Sequence, residues 1–242
     1  MKKSLIFTAL CAVCVLCAVC ASGCIIVTDY GEPVTKNYEI SGPFTGLDIS
    51  HAFHVTVSDE VTDVVVTVAE QAQEHVVVQV KNGILKIGFK APVSLKKSAT
   101  AVIPAYTSLT SLELSGASSF VGDMWGADKL EVEISGASHY QGAMDAEKMD
   151  FEISGASSAK VTGKCPGVME IEISGASDLE APELVAGTIT GDISGASSAD
   201  VTCSELLKVE VSGASTLTYG AAEGSNPTVN CATSGASHVK TR

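Results

Sequence analysis

Apolar and acidic residues alternate along most of the chain beyond residue 110. The run 130–134 reads Leu-Glu-Val-Glu-Ile, and 149–153, 169–173 and 207–211 show the same alternation. A period of two residues predicts β-strands with one buried face and one solvated face. The same part of the sequence lacks the i, i+3, i+4 apolar spacing of an amphipathic helix. The pattern therefore predicts an all-β fold.

A tetrapeptide, Ser-Gly-Ala-Ser, follows these alternating runs and occurs seven times. Its glycines are Gly116, Gly136, Gly155, Gly175, Gly195, Gly213 and Gly235. A unit of about 20 residues built of short strands cannot bury its own apolar face, so neighbouring units must stack. We predict a parallel β-helix, or solenoid, with one coil per repeat and about 4.8 Å between coils. An antiparallel β-sandwich explains the fixed period less well.

The repeated motif has the residues that a stacked corner needs. Glycine accepts a positive φ or a close backbone approach, and the serine hydroxyls can bond to backbone groups freed by the turn. A structural corner is a simpler interpretation of the serine rows than a polar surface for a glycan. The residues two positions after the motif are predicted to point into the core: Phe120, Tyr140, Leu179, Leu217 and Val239.

The region before the repeats contains strands without the tetrapeptide. Asn82-Gly83 lies between two apolar runs, which indicates a tight hairpin. Residues 47–52 resemble a degenerate copy of 112–117. We interpret residues 38–110 as irregular first coils or as an N-terminal β cap on the repeat body, which is 111–242.

The first segment has the features of a bacterial export signal. Lys2 and Lys3 precede an uncharged apolar run, and residues 21–24 read Ala-Ser-Gly-Cys. This ending is typical of a lipoprotein signal, in which small residues precede a cysteine that is acylated. We predict a signal over 1–23, a lipid on Cys24 and a tether over 24–37; an ordinary secretory signal is the alternative.

Composition and charge exclude several classes of protein. The 242 residues have a net charge of −13, and loss of Lys2 and Lys3 with the signal leaves 13 bases against 28 acids, or −15. Such a charge argues against a nucleic-acid partner, which needs a basic face. An apolar fraction of 45% argues against an acidic disordered chain. Of the eight cysteines, only Cys165, Cys203 and Cys231 lie beyond Cys24, and their spacing suits neither a disulfide framework nor a zinc site.

One set of residues has candidate chemistry. The position three before the motif glycine is acidic in six of the seven repeats: Glu113, Glu133, Glu152, Glu172, Asp192 and Glu210. In a β-helix these acids form one outward ladder, which could bind Ca²⁺ or other hard cations, or meet a cationic or sugar surface. The simpler interpretation is a solvated strand face whose acids prevent edge pairing. No other cofactor is indicated.

Several stretches are similar to one bacterial family. They are residues 44–57, residues 78–87 and the Ile-Ser-Gly-Ala-Ser repeats, and the resemblance covers about residues 38–240. The family is the putative auto-transporter adhesin head GIN domain, a domain of unknown function in envelope proteins of Bacteroidetes. The resemblance implies a right-handed β-helical body and an exported location. It supplies no catalytic or ligand residues.

Together these features predict a lipid-anchored protein of the bacterial cell envelope, most simply at the outer membrane. We expect a non-catalytic adhesin-like binding or scaffold module with the membrane, and a glycan or surface protein, as partners. Its orientation toward the periplasm or the cell surface and its oligomeric state stay open. One alternative is a carbohydrate-active, pectinase-like β-helix enzyme, although the carboxylates recur identically and no insertion builds a cleft. Another is a periplasmic envelope-stress or scaffold component.

Overall fold

The protein is a parallel β-solenoid of about six turns, with 64% of its residues in strands and 3% in helix. The computed structural model describes residues 27–28, 31–91, 93–94 and 97–242. The predicted all-β fold and the predicted stacking of the repeats as coils are both confirmed. Residues 1–26, with the proposed signal and Cys24, lie outside the described residues.

The repeats form strands that pair in parallel with the equivalent strands of neighbouring coils. Ile134 lies beside Ile153, and Ile153 lies beside Ile173, so the register follows the sequence repeat. The strands of this part are β10 (Ser111–Leu114), β11 (Ser119–Val121), β12 (Met124–Ile134), β13 (His139–Ile153), β14 (Ser158–Ile173), β15 (Asp178–Ile193), β16 (Ser198–Val211), β17 (Thr216–Ala221), β18 (Thr228–Val229), β19 (Ala232–Thr233) and β20 (His238–Thr241).

The Ser-Gly-Ala-Ser motif forms the predicted corner. All seven motif glycines have positive φ, between 73° and 80°. From the second motif onward, the alanine amide donates to the glycine carbonyl of the previous coil, as in the 2.7 Å bond from Ala137 to Gly116. The last serine of the first six motifs is buried, and the Ser118 hydroxyl donates to the Ser115 carbonyl at 2.8 Å. The small side chains are therefore required by the stacking itself.

Alternate residues of every coil fill one continuous core. The apolar positions of the alternating runs are buried, while the acids between them face outward. Of the residues two positions after each motif, Phe120, Tyr140, Leu179 and Leu217 are buried and Val239 is half-buried, as predicted.

The N-terminal part combines an irregular coil with a closing sheet. Its strands are β1 (Val27–Thr28), β2 (Pro33–Tyr38), β3 (Gly46–Ile49), β4 (Phe53–Ser58), β5 (Val64–Ala69), β6 (Val76–Lys81), β7 (Ile84–Phe89), β8 (Val93–Ser94) and β9 (Ala99–Pro104), with a 3₁₀ helix at Glu70–His75. Strands β3 and β4 pair in parallel with β10 and β11. Antiparallel pairs β2–β5, β5–β9 and β6–β7 complete this end.

Two local features of this end follow from the sequence. Asn82 and Gly83 both have positive φ, which suits the tight hairpin between β6 and β7. His51 and Ala52 also have positive φ, at the place where the repeats have their corner. Pro33–Tyr38 forms strand β2, so the end of the segment predicted as a tether pairs with the body. Among the described residues no helix is long and apolar enough to cross a membrane.

Candidate functional site

The six predicted acids form one continuous outward ladder. Glu113 lies beside Glu133, and each later acid lies beside the next in parallel register, through Glu152, Glu172, Asp192 and Glu210. The ladder also extends toward the N-terminus, because Asp48 pairs with Glu113 and Lys86 pairs with Asp48. The Lys86 ammonium lies 2.5 Å from the Asp48 carboxylate. The positions of Asp48 and Lys86 in this row were not predicted.

A second, shorter acidic row runs beside the first. Glu131 pairs with Asp150, and Asp150 pairs with Glu170. Lys129 bridges the first two, with its ammonium 3.0 Å from Glu131 and 2.5 Å from Asp150. The hydrogen bond to Asp150, followed by the one to Glu131, raises the pKa of Lys129. The lysine therefore stays charged and offsets part of the local repulsion.

The two rows line a shallow groove on this face of about 540 Å³. Of its lining residues eight are acids and none is basic. Leu47 and Ile84 supply apolar lining at the N-terminal end, where β3 and β7 pair. The arrangement presents a dense set of carboxylate oxygens to solvent, so we call this surface the acidic face.

Glu113 shows that the carboxylates of the acidic face repel one another. Burial raises the pKa of the Glu113 carboxyl, and the neighbouring charges of Asp48 and Glu133 raise it further, while Lys86 acts in the opposite direction. The folded protein thus holds the Glu113 proton more tightly than the unfolded chain does. Ionised Glu113 destabilises the fold above its ordinary pKa, and the penalty is relieved as the pH falls through the raised value.

We expect Glu113→Gln to raise the melting temperature at pH 7 and low salt. Removal of a repelled charge from an exposed position changes stability by up to about 0.5 kcal/mol, or roughly 1–2 °C here. Thermal melts should show that the gain disappears at about pH 3, where the carboxyl is protonated in both states, and shrinks in about 1 M salt, where the Debye length is about 3 Å.

Glu205→Gln is the matched control for this experiment. Glu205 is exposed on β16 and has no residue paired with it in the ladder register. We expect no comparable gain in melting temperature from this substitution. An equal gain from both variants, or a loss from Glu113→Gln at pH 7, would contradict the repulsion argument.

The described residues offer few candidates for a metal site or a reactive thiol. Among the described residues no group of three or more His, Cys, Asp or Glu side chains is arranged to hold a metal ion. Ca²⁺ binding along the acidic face stays a prediction. Cys165, Cys203 and Cys231 are free thiols, and burial raises the pKa of the Cys165 thiol to about 11. A thiol that is protonated at neutral pH is a poor nucleophile.

A second face has an outward row of His, Ser, Thr and Asp side chains. This row was not predicted from the sequence. It contains His54, Ser119, His139, Ser158, Asp178, Ser198, Thr216 and His238 in register. The Nδ1 atoms of His54 and His139 lie 2.7 Å from the Ser119 and Ser158 hydroxyls. These contacts connect coils that are already adjacent, so they reinforce the stack.

The fold and the repeated faces define an elongated β-solenoid module with an acidic face. The family model described as "Putative auto-transporter adhesin, head GIN domain" matches residues 43–222. The chain therefore belongs to this family, as the resemblance indicated. A search of the curated proteins finds no match.

Solved structures share the fold. A putative adhesin from Bacteroides fragilis has a TM-score of 0.74 at 17% identity, over 89% of this chain and 100% of its own. A putative adhesin from Parabacteroides merdae has a TM-score of 0.65 at 18% identity, over 89% and 98%. A putative lipid binding protein from Parabacteroides distasonis has a TM-score of 0.63 at 16% identity, over 89% and 99%. At these identities the likeness shows the fold alone.

Proposed function

We propose that the chain is a lipid-anchored, non-catalytic binding module of the cell envelope. The observation that carries this proposal is the uniformity of the faces: equivalent outward residues recur in register from Glu113 to Glu210. A solenoid of this kind presents an extended surface suited to contact with a large ligand. The names of the family and of its structural neighbours support an adhesin-like role.

The arrangement of the acids argues against the enzyme alternative. A glycosidase uses two carboxyl groups whose environments differ, so that one is protonated and the other ionised. Apart from Glu113, whose pKa is raised by burial and by its neighbours, the acids of the ladder sit in successive coils with the same strand geometry and the same outward direction. The groove along them is open to solvent and crosses several coils, from Asp48 to Glu172. This surface suits binding better than catalysis.

The lipid anchor would hold the module close to a membrane. Strand β2 begins at Pro33, nine residues after Cys24. A fully extended chain of that length spans at most about 30 Å. Acylation of Cys24 would therefore keep the N-terminal end of the solenoid near the bilayer and leave its long faces free for a partner.

We expect Cys24→Ser to release the full-length protein from the membrane fraction of the expressing bacterium. Without the thiol no acyl chain can be attached to this residue, and the predicted attachment depends on those chains. The measurement is membrane fractionation combined with metabolic labelling by a fatty acid. Labelled, membrane-bound protein is expected for the unaltered chain and not for Cys24→Ser.

Cys20→Ser is the matched control, because Cys20 lies in the same segment four residues earlier. It should leave both the label and the membrane attachment unchanged. If the two variants behave alike, or if Cys24→Ser still carries the fatty-acid label, the anchor is wrong. Protease treatment of intact cells then distinguishes surface display, in which the solenoid is degraded, from a periplasmic orientation, in which it is protected.

A further inference from the structure

An aromatic cluster reaches the surface of the solenoid near its N-terminal end. Trp125 is the second residue of β12 and is 41% exposed. Its ring lies against Tyr106, with the ring centroids 5.7 Å apart and the planes inclined by 37°. Tyr106 in turn contacts Phe44 edge-on at 6.0 Å. The three rings form a stack that runs from the core side, where Phe44 is buried, to solvent.

The Tyr106 ring and a backbone hydrogen bond position the exposed Trp125 indole. The Tyr106 hydroxyl donates to the Asp123 carbonyl at 2.6 Å, and burial, with the Asp123 charge as a smaller cause, raises the pKa of this hydroxyl. The amide of Leu109 donates to the Trp125 carbonyl at 3.1 Å. A surface that is ordered before it meets a ligand loses little conformational entropy on binding.

Two unpaired charged groups continue the row in which Trp125 lies. Asp145 pairs with Trp125 in the next coil, and Lys164 pairs with Asp145 in the coil after that. Both side chains are exposed. In the described part of the chain no hydrogen bond or ion pair engages the Asp145 carboxylate, the Lys164 ammonium or the Trp125 indole N–H. An aromatic surface, an acceptor and donors thus follow one another at strand spacing, about 4.8 Å.

We propose that Trp125, Asp145 and Lys164 form a binding site for a neutral saccharide. The apolar C–H face of a pyranose would pack on the indole, which combines a large apolar surface with an N–H donor. The sugar hydroxyls would donate to the carboxylate and accept from the ammonium, and such charge-assisted hydrogen bonds are stronger than neutral ones. A few placed polar groups beside an aromatic surface are what fix the orientation of a small ligand.

The charge around the cluster favours a neutral saccharide over an anionic partner. The chain has a net charge of −13, and Asp145 lies directly beside the indole. An anionic lipid headgroup or a sialylated glycan would be repelled by both. A zwitterionic membrane, into which an interfacial Trp can insert, is the competing partner and becomes an outcome of the test. The proposal rests on the binding role proposed above and names its ligand class.

The decisive experiment uses the fluorescence of Trp125, which is the one Trp of the chain. The Cys24→Ser protein, whose lost acyl chains cannot themselves bind vesicles, is titrated in detergent-free buffer with neutral hexose and N-acetylhexosamine oligomers, with sialylated oligomers and with phosphatidylcholine vesicles. We expect a saturable change in emission with at least one neutral oligomer and none with the charged oligomers. Asp145→Asn should weaken that binding about tenfold, the size expected when one charge-assisted hydrogen bond is lost.

Asp178→Asn is the matched control, because Asp178 is also an exposed acid on a neighbouring coil but belongs to the His, Ser and Thr row. It should leave the affinity unchanged. Trp125→Ala, monitored by calorimetry and checked by circular dichroism for its fold, should abolish binding, and Trp125→Phe should retain part of it. Absence of a response to every neutral oligomer, equal effects of the two Asp variants, or a response to vesicles alone would overturn the site. Membrane attachment through Cys24 is measured separately, so failure here leaves that result intact.

Discussion

Gly175→Ala is expected to lower the melting temperature by about 5–15 °C. Gly175 has a φ of +80°, and this left-handed conformation costs an alanine about 1–2 kcal/mol. The added Cβ would also overlap the carbonyl oxygen of Gly155 and lie 3.0 Å from its amide nitrogen. Because the clash is with backbone that is itself held in the stack, overpacking adds about 1–3 kcal/mol. Each kcal/mol shifts the midpoint by about 2–4 °C in a protein of this size.

Gly224→Ala separates the two causes. Gly224 has a similar φ of +74°, but nothing lies within 4 Å of the position that its Cβ would take. Only the conformational cost of about 1–2 kcal/mol should remain, so thermal melts should show a clearly smaller loss. If the two variants lost the same amount, the close approach of neighbouring coils would not be what requires glycine at the corner.

The coil repeat could be predicted because one local constraint recurs. Each corner needs a residue with positive φ and small neighbours, so Gly116 and its equivalents occupy the same phase of every repeat. Once the phase is known, parallel stacking brings residues at equal positions together, and the ladder from Glu113 to Glu210 follows without further information. Period, register and the outward direction of the acids are therefore readable from sequence.

The aperiodic parts could not be predicted in the same way. Lys86 reaches Asp48 because the hairpin of β6 and β7 returns β7 alongside β3, and this pairing connects segments that share no motif. Trp125 meets Tyr106 across a stretch that departs from the regular register of β12 and β13. The pattern of residues along the chain gives no signal for such contacts, since they depend on tertiary packing and not on period.

The contrast between repeated and aperiodic parts indicates which surface of a repeat protein can select its ligand. Faces built from identical coils provide extent and charge, but every coil offers the same groups, so they discriminate between ligands weakly. A departure from the repeat creates a unique local environment, as the cluster around Trp125 does. In this protein the acidic face would set the charge of acceptable partners, and the aromatic cluster would select among them.

The two ends of the solenoid are not equivalent, and Phe53→Ala should show it. Phe53 is fully buried where β4 begins and packs on Phe89, with the ring centroids 4.9 Å apart. Truncation of a buried Phe costs about 3–5 kcal/mol, so we expect the midpoint of unfolding to fall by about 10 °C. Hydrogen exchange should rise through β3, β4 and β9 and also in β10 and β11, because these coils rest on the closing sheet.

Val239→Ala tests the opposite end. Val239 lies half-buried in β20, where it pairs with Leu217 and most neighbouring residues are exposed. We expect a loss below about 1 kcal/mol, with faster exchange limited to β17 and β20. In a one-dimensional stack, each coil is stabilised by its neighbours, so an end closed by an antiparallel sheet must transmit a defect farther than an end that is exposed. Equal losses in the two variants, or exchange in Phe53→Ala confined to β4, would show that the N-terminal sheet does not stabilise the coils that follow it.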